Sequence, residues 1–305
     1  MSQITQLIRA LAQPLLLEPR TGRLLVDIFA RKVFSGISFN GAELHAELGI
    51  ASPGQRRKAE PDARVAVIPI YGLIAQHPQS LGASTDEIGF LFDAAMASRQ
   101  VDAVVFDVDS PGGTVSGVPE LAARLAAARG LKPMIAVANS LMASAAYWLA
   151  SAADEVLITP SGEAGSIGVY TTHEDWSKAL EQDGINVTAI SAGRRKLEGA
   201  PWLPLSEEAA ANLRERVDEV YEWFVKAVAA NRGASQKAVC EGYGEGAVLG
   251  AEQAVKANLA DRIGTLEDAI QRAAHKAGGK VAAAGARSAA WRTRELTLDS
   301  ERSVA

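Results

Sequence analysis

Apolar positions change their period along this chain, and each change marks an element. Residues 64–70, Arg64-Val65-Ala66-Val67-Ile68-Pro69-Ile70, form an apolar run of strand length that ends at Tyr71-Gly72. Residues 101–108 are almost continuously apolar, as expected for a parallel strand buried on both faces. Residues 134–138, 155–159 and 186–191 read as further strands, and 167–171 as extended. Between them the period becomes helical. Ile88, Leu91, Phe92 and Ala95 share one face of a helix over 85–98, and residues 115–129 form another, closed by Gly130 and Pro133. Residues 143–153 make a short, very apolar helix and 174–182 a polar one. Beyond Pro204 the pattern is helical throughout. Ser206 caps a long helix with Glu207 and Glu208 in its first turn. Leu213, Val217, Val220, Phe224 and Val228 form its apolar stripe, and Asn231-Arg232-Gly233 ends it. Helices over 250–258 and 266–276 follow.

Short strands alternating with longer helices imply βαβ units, hence an α/β fold on a parallel sheet with right-handed crossovers. Residues 1–60 read as a helical, partly irregular extension. It ends in the polar linker Ser52-Pro53-Gly54-Gln55-Arg56-Arg57-Lys58. Residues 61–276 then form the main domain, and the Ala/Gly/Arg-rich residues 277–305 a tail without amphipathic period. The chain has 305 residues, 48% of them hydrophobic, enough for a substantial core. A net charge of −5 leaves no basic footprint for nucleic acid. A single cysteine, Cys240, rules out an intrachain disulfide and fits a reducing compartment. The apolar stretch over 7–17 is interrupted by Arg9, Gln13 and Pro14. No run reaches the ~20 apolar residues of a membrane span, so the expectation is a soluble, cytoplasmic protein.

Three segments carry candidate chemistry. Asp109-Ser110-Pro111-Gly112-Gly113 follows a buried strand, and its glycines leave backbone N–H groups unshielded, suited to an oxyanion. An ordinary tight turn explains the same residues. Ser144 stands where the short apolar helix begins, among Ala143, Ala145 and Ala146. It reads either as an N-cap or as a nucleophile with the Ala145 N–H as a second oxyanion donor. A serine hydroxyl needs a base. Of the four histidines only His173 lies near this region. Lys196 follows a strand and Gly193, beside Arg194 and Arg195 and before the apolar Ala200-Pro201-Trp202-Leu203. A lysine serves as base where burial or neighbouring cations favour the neutral amine. A solvated charge cluster accounts for the same residues.

The order of these segments resembles the signal peptide peptidase A (protease IV) family, with its Clp-protease/crotonase-like fold. The likeness covers roughly residues 63–275. It rests on Val105-Phe106-Asp107-Val108-Asp109-Ser110-Pro111-Gly112-Gly113, Met142-Ala143-Ser144, Ala164-Gly165-Ser166-Ile167-Gly168-Val169 and the 193–196 segment. Gly250-Ala251-Glu252-Gln253-Ala254 and Leu259-Ala260-Asp261-Arg262-Ile263-Gly264 complete it. The resemblance implies Ser144 as nucleophile, Lys196 as general base and Ser166 as the residue orienting the lysine. It implies backbone N–H groups of Gly112, Gly113 and Ala145 at the oxyanion, and no cofactor or metal. It also implies a homo-oligomeric ring whose sites lie at subunit contacts, taking peptide substrate in extended form. Ala145-Ala146 stand where the family often has Gly-Gly, which narrows the pocket. Without an evident membrane anchor, the chain resembles the phage prohead (capsid assembly) protease branch. That branch acts on scaffold, portal or capsid proteins. A cytoplasmic degradative protease, a Ser144/His173 pair and a catalytically inert capsid component are the alternatives.

Overall fold

The strand Ala103–Ser110 is buried at seven of its eight positions, and the rest is laid out around it. The computed structural model describes residues 15–17, 65–80 and 82–277. In chain order the strands are β1 (Leu15–Leu17), β2 (Val65–Tyr71), β3 (Ala103–Ser110), β4 (Gly112–Thr114), β5 (Met134–Ala143), β6 (Glu155–Ile158), β7 (Glu163–Gly165), β8 (Val248–Gly250) and β9 (Arg262–Ile263). The helices are α1 (Thr85–Ala97), α2 (Val118–Ala127), α3 (Ala145–Ser151), α4 (Ser177–Gln182), α5 (Glu207–Arg232), α6 (Gln236–Gly242), α7 (Ala251–Lys256) and α8 (Leu266–Lys276).

The main sheet runs β2-β3-β5-β6-β9, and every pair in it is parallel. This is the α/β architecture expected from the alternating pattern. Successive β3 side chains serve opposite faces. Val104, Phe106 and Val108 join the larger core with α1, α2, α3 and α5, while Ala103 and Val105 join a smaller one closed by α8. A strand covered on both faces takes polar side chains only where partners satisfy them, hence its mainly apolar run, with Asp107 and Asp109 near its end.

Capping follows the residue types. Ser84 accepts from Glu87 N–H at α1, Ser206 from Ala209 N–H at α5, and Thr265 with Asp268 forms a reciprocal capping box at α8. Trp148 of α3 stacks on Phe224 of α5 with ring centroids 4.6 Å apart. That geometry contributes about 0.5–1.5 kcal/mol beyond the area buried. The end of α5 is pinned by Arg232, whose guanidinium donates to both Asp261 oxygens at 2.9 and 3.0 Å. Asp261 in turn accepts from Val156 N–H of β6 at 2.7 Å. Burial alone would raise the Asp261 carboxyl, but Arg232 and the Val156 N–H outweigh it and hold it low.

Three readings are corrected. Residues 186–191 form no strand: they are exposed and outside every ladder. Within the expected helical extension, Leu15–Leu17 is a strand, paired antiparallel with β4; the rest of residues 1–60 lies outside the described residues, as does the tail from 278. The strand over 134–138 continues to Ala143, ending at the candidate serine. Among the described residues no helix is long and apolar enough to cross a membrane.

Candidate active site

On its flank away from β3, β5 belongs to two ladders. Its first half, Ile135–Ala138, pairs with β6, and its last three residues, Leu141–Ala143, pair with β7. Against β3 its register shifts between Val108 and Ser110, so Ser110 comes opposite Met142. This irregularity brings the end of β3, the glycines of β4 and the end of β5 together.

Ser144 is the single residue between β5 and α3. Its backbone is at φ 55°, ψ −117°, a conformation that costs a non-glycine residue about 1–3 kcal/mol. Its N–H donates to Gly165 carbonyl at 2.8 Å, and its own carbonyl accepts from Trp148 N–H at 2.9 Å. The side chain caps nothing, and Oγ is buried without a hydrogen-bond partner. The N-cap alternative therefore fails. What remains is a strained strand-to-helix turn presenting a bare hydroxyl, the local geometry of a nucleophile elbow.

Ser166 stands beside it. Ala143 pairs with Gly165, so Ser144 and Ser166 are the next residues on neighbouring strands. Ser166 is buried, has φ 54°, and donates its N–H to Ala247 carbonyl at 2.8 Å. The two serines thus share a backbone device: a turned residue held by a carbonyl of the adjoining strand.

The glycine pair differs between its members. Gly112 donates its N–H to Ser110 Oγ at 3.2 Å, and Ser110 donates to Gly72 carbonyl at 2.6 Å. That N–H is spoken for internally. Gly113 sits so close to Ile74 that an added Cβ would lie 1.8 Å from the Ile74 carbonyl oxygen. Only glycine fits there. The Ala145 N–H opens α3, where the first amides of a helix have no intrahelical acceptor.

Lys196 is not bonded to Ser144 Oγ, which has no partner. It is exposed in the turn after Gly193, its N–H donating to Gly193 carbonyl at 3.1 Å. Its neighbours form surface ion pairs, Arg194 with Glu208 at 3.2 Å and Arg195 with Glu198 at 3.8 Å. Just before it, Ile185, Val187 and Ile190 stand exposed, Ile190 at 98%. Within one chain the structure joins Ser144, Ser166, Ala145 and the glycine edge, while the exposed Lys196 makes no hydrogen bond to Ser144 Oγ. His173 has Nε2 3.3 Å from Ala200 carbonyl, whereas Ser144 Oγ has no partner, so these two are not paired.

A polar cluster at the carboxyl ends of β2, β3 and β5 was not singled out from the sequence. Asp107 is buried in β3, accepting from Tyr71 hydroxyl and from Asn139 Nδ2 at 3.0 Å. Burial raises the Asp109 carboxyl, against bonds from Leu141 N–H and Ser140. The signal was two aspartates closing an otherwise apolar strand. Among the described residues no group of three or more His, Cys, Asp or Glu side chains is placed to hold a metal ion.

Comparison with known proteins matches residues 126–280 to the model of peptidase family S49. Capsid assembly protease C of Escherichia phage lambda is 31% identical over 86% of this chain and 63% of its own length. Head-tail preconnector protein GP5 of Enterobacteria phage P21 is 31% identical over 86% of this chain and 55% of its own. The chain thus spans 55–63% of the length of these two relatives. Among solved structures, a ClpP1 variant from Listeria monocytogenes is similar over 68% of this chain and 94% of its own, at 14% identity and a TM-score of 0.44.

Proposed function

Because the chain belongs to peptidase family S49, we propose that it is a serine endopeptidase working through an acyl-enzyme, with Ser144 as nucleophile and Lys196 as general base. The observation that carries this reading is the Ser144 turn: strained, uncapping, and with its hydroxyl unpartnered beside a glycine edge. Ser144 Oγ attacks the peptide carbonyl carbon while Lys196 Nζ takes the hydroxyl proton. The oxyanion is met by the N–H groups of Gly113 and Ala145, since the Gly112 amide is engaged with Ser110. Lys196 passes the proton to the leaving amine, and water then releases the acyl group from Ser144. Ser166, at the end of the adjoining strand, orients the lysine amine.

The base comes from a second copy of the chain in a homo-oligomeric ring. Two features support this. Lys196 is exposed within its own chain, and the apolar Ile185, Val187 and Ile190 preceding it stand in solvent at a cost that burial against a neighbour removes. Burial at such a contact is also the physical route by which an amine gives up its proton. Substrate adds as an extended strand along β4. The phage relatives point to proteins of the assembling head as substrates, cleaved in the host cytoplasm or inside the prohead.

The test is digestion of a disordered protein by wild type, Ser144→Ala, Lys196→Ala and a co-assembled mixture of the two variants. Each variant alone is expected to lose at least 100-fold in rate, the order attached to a general base. The mixture is expected to recover a measurable fraction, because some contacts then hold an intact pair. Near-normal cleavage by Lys196→Ala would remove the dyad.

A further inference from the structure

We infer that the chain carries its own occupant for the substrate edge. Leu15–Leu17 lies where an extended substrate belongs, as an internal pseudosubstrate; the word substrate rests on the peptidase reading above.

β4 has two edges. On one, Ile74 N–H donates to Gly112 carbonyl and Thr114 N–H donates to Ile74 carbonyl, both at 2.9 Å. Backbone groups alternate sides along a strand, so the N–H and carbonyl of Gly113 face the other edge. On that edge β1 pairs antiparallel, with Leu16 opposite Gly113. This is therefore the narrow pair, in which opposed residues exchange both hydrogen bonds. Leu16 carbonyl accepts from Gly113 N–H, the amide assigned above to the oxyanion.

The direction also fits. β1 runs from Thr114 towards Gly112, the end of β4 that adjoins Ser110 and, across the sheet, Met142 two residues before Ser144. A substrate must run the same way to bring its carbonyl to the serine. Ser144 itself is wholly buried with its hydroxyl unpartnered, so covering structure has to leave before a foreign peptide reaches it. The class of segment the edge accepts is accordingly an extended one with leucine opposite Gly113. A tethered strand acts at roughly millimolar effective concentration, enough to compete with a free peptide of ordinary affinity.

The experiment uses the full chain with Ser144→Ala, with and without Leu16→Pro. Proline at 16 removes the donor to Gly113 carbonyl and disfavours the strand. The probe is a fluorescein-labelled peptide of residues 11–20, followed by anisotropy. The Leu16→Pro protein is expected to bind it at least 10-fold more tightly, and the Gly113 amide to exchange with deuterium at least 10-fold faster when no peptide is present. Retained protection of β3 reports that the domain is still folded. Equal affinities, absence of binding by both proteins, or unchanged Gly113 exchange would each overturn the inference. Fluorophosphonate labelling of Ser144 in the active chain judges the peptidase reading separately. Labelling with no effect of Leu16→Pro removes only the pseudosubstrate.

Discussion

Replacing Gly113 by alanine isolates the steric demand at the centre of the site. The backbone at Gly113 is not in the left-handed region, so the cost is contact, not torsion. The new Cβ would lie 1.8 Å from the Ile74 carbonyl oxygen and 2.6 Å from both its carbon and nitrogen. Carbon and oxygen meet at no less than ~3.3 Å, so β4 and residue 74 must part by about 1.5 Å. Both flanking bonds, 2.9 Å each, then pass beyond hydrogen-bonding range. Two net hydrogen bonds are worth about 2 kcal/mol, and buried groups left unpaired add to that, so about 2–4 kcal/mol is expected. For a domain of this size that is a fall in Tm of roughly 5–15 °C. Gly242→Ala is the control, since nothing lies within 4 Å of its added Cβ. The measurements are thermal unfolding and fluorophosphonate labelling. If Gly113→Ala melts with Gly242→Ala and labels as fast as wild type, the reasoning about this edge is wrong.

Ser144→Gly should label no more but unfold at a higher temperature, by about 2–4 °C, because it relieves the φ 55° turn and deletes an unpartnered buried hydroxyl. Arg232→Ala should cost about 2–4 kcal/mol in denaturant unfolding, since it strands the Asp261 carboxylate; a double-mutant cycle with Asp261→Ala should show coupling above ~1 kcal/mol. Glu155 sets an acid limit. Burial would raise its carboxyl, but Arg272, Lys276 and Arg262 outweigh that and bring it down to about 2, below the ordinary 4.5. Its stabilisation is complete above about pH 4.5 and is lost as pH falls towards 2. With the cations partly exposed, that amounts to about 1–3 kcal/mol, and Glu155→Gln should flatten the stability profile over this window.

Much of the sheet was legible because its strands are buried on both faces. The apolar run over 101–108 and the helical stripe from Leu213 to Val228 admit few other readings. Strands β7, β8 and β9 were not legible. They are two or three residues long and gain their meaning only from their partners. The opposite error occurred at 186–191, where apolar spacing suited a strand but no edge among the described residues receives one. Leu15–Leu17 was misread for a related reason: a short apolar run has no period to distinguish helix from strand. Ser144 could be found because the small residues around it and the strand-to-helix change are local facts. The environment of Lys196 could not, because a single chain leaves that side chain in water.

The shared allegiance of β5 has a mechanical consequence. Asn139 and Ser140 are exposed between the half that pairs with β6 and the half that pairs with β7. The lower ladder is locked into the double-sided core, while the upper one rests on two strands of three residues each. On the flank away from β3, the segment leading into Ser144 is therefore held by a different ladder from the segment beneath it. The two ladders share no residue of β5, so loss of the β7 pairs would leave the β6 pairs in place.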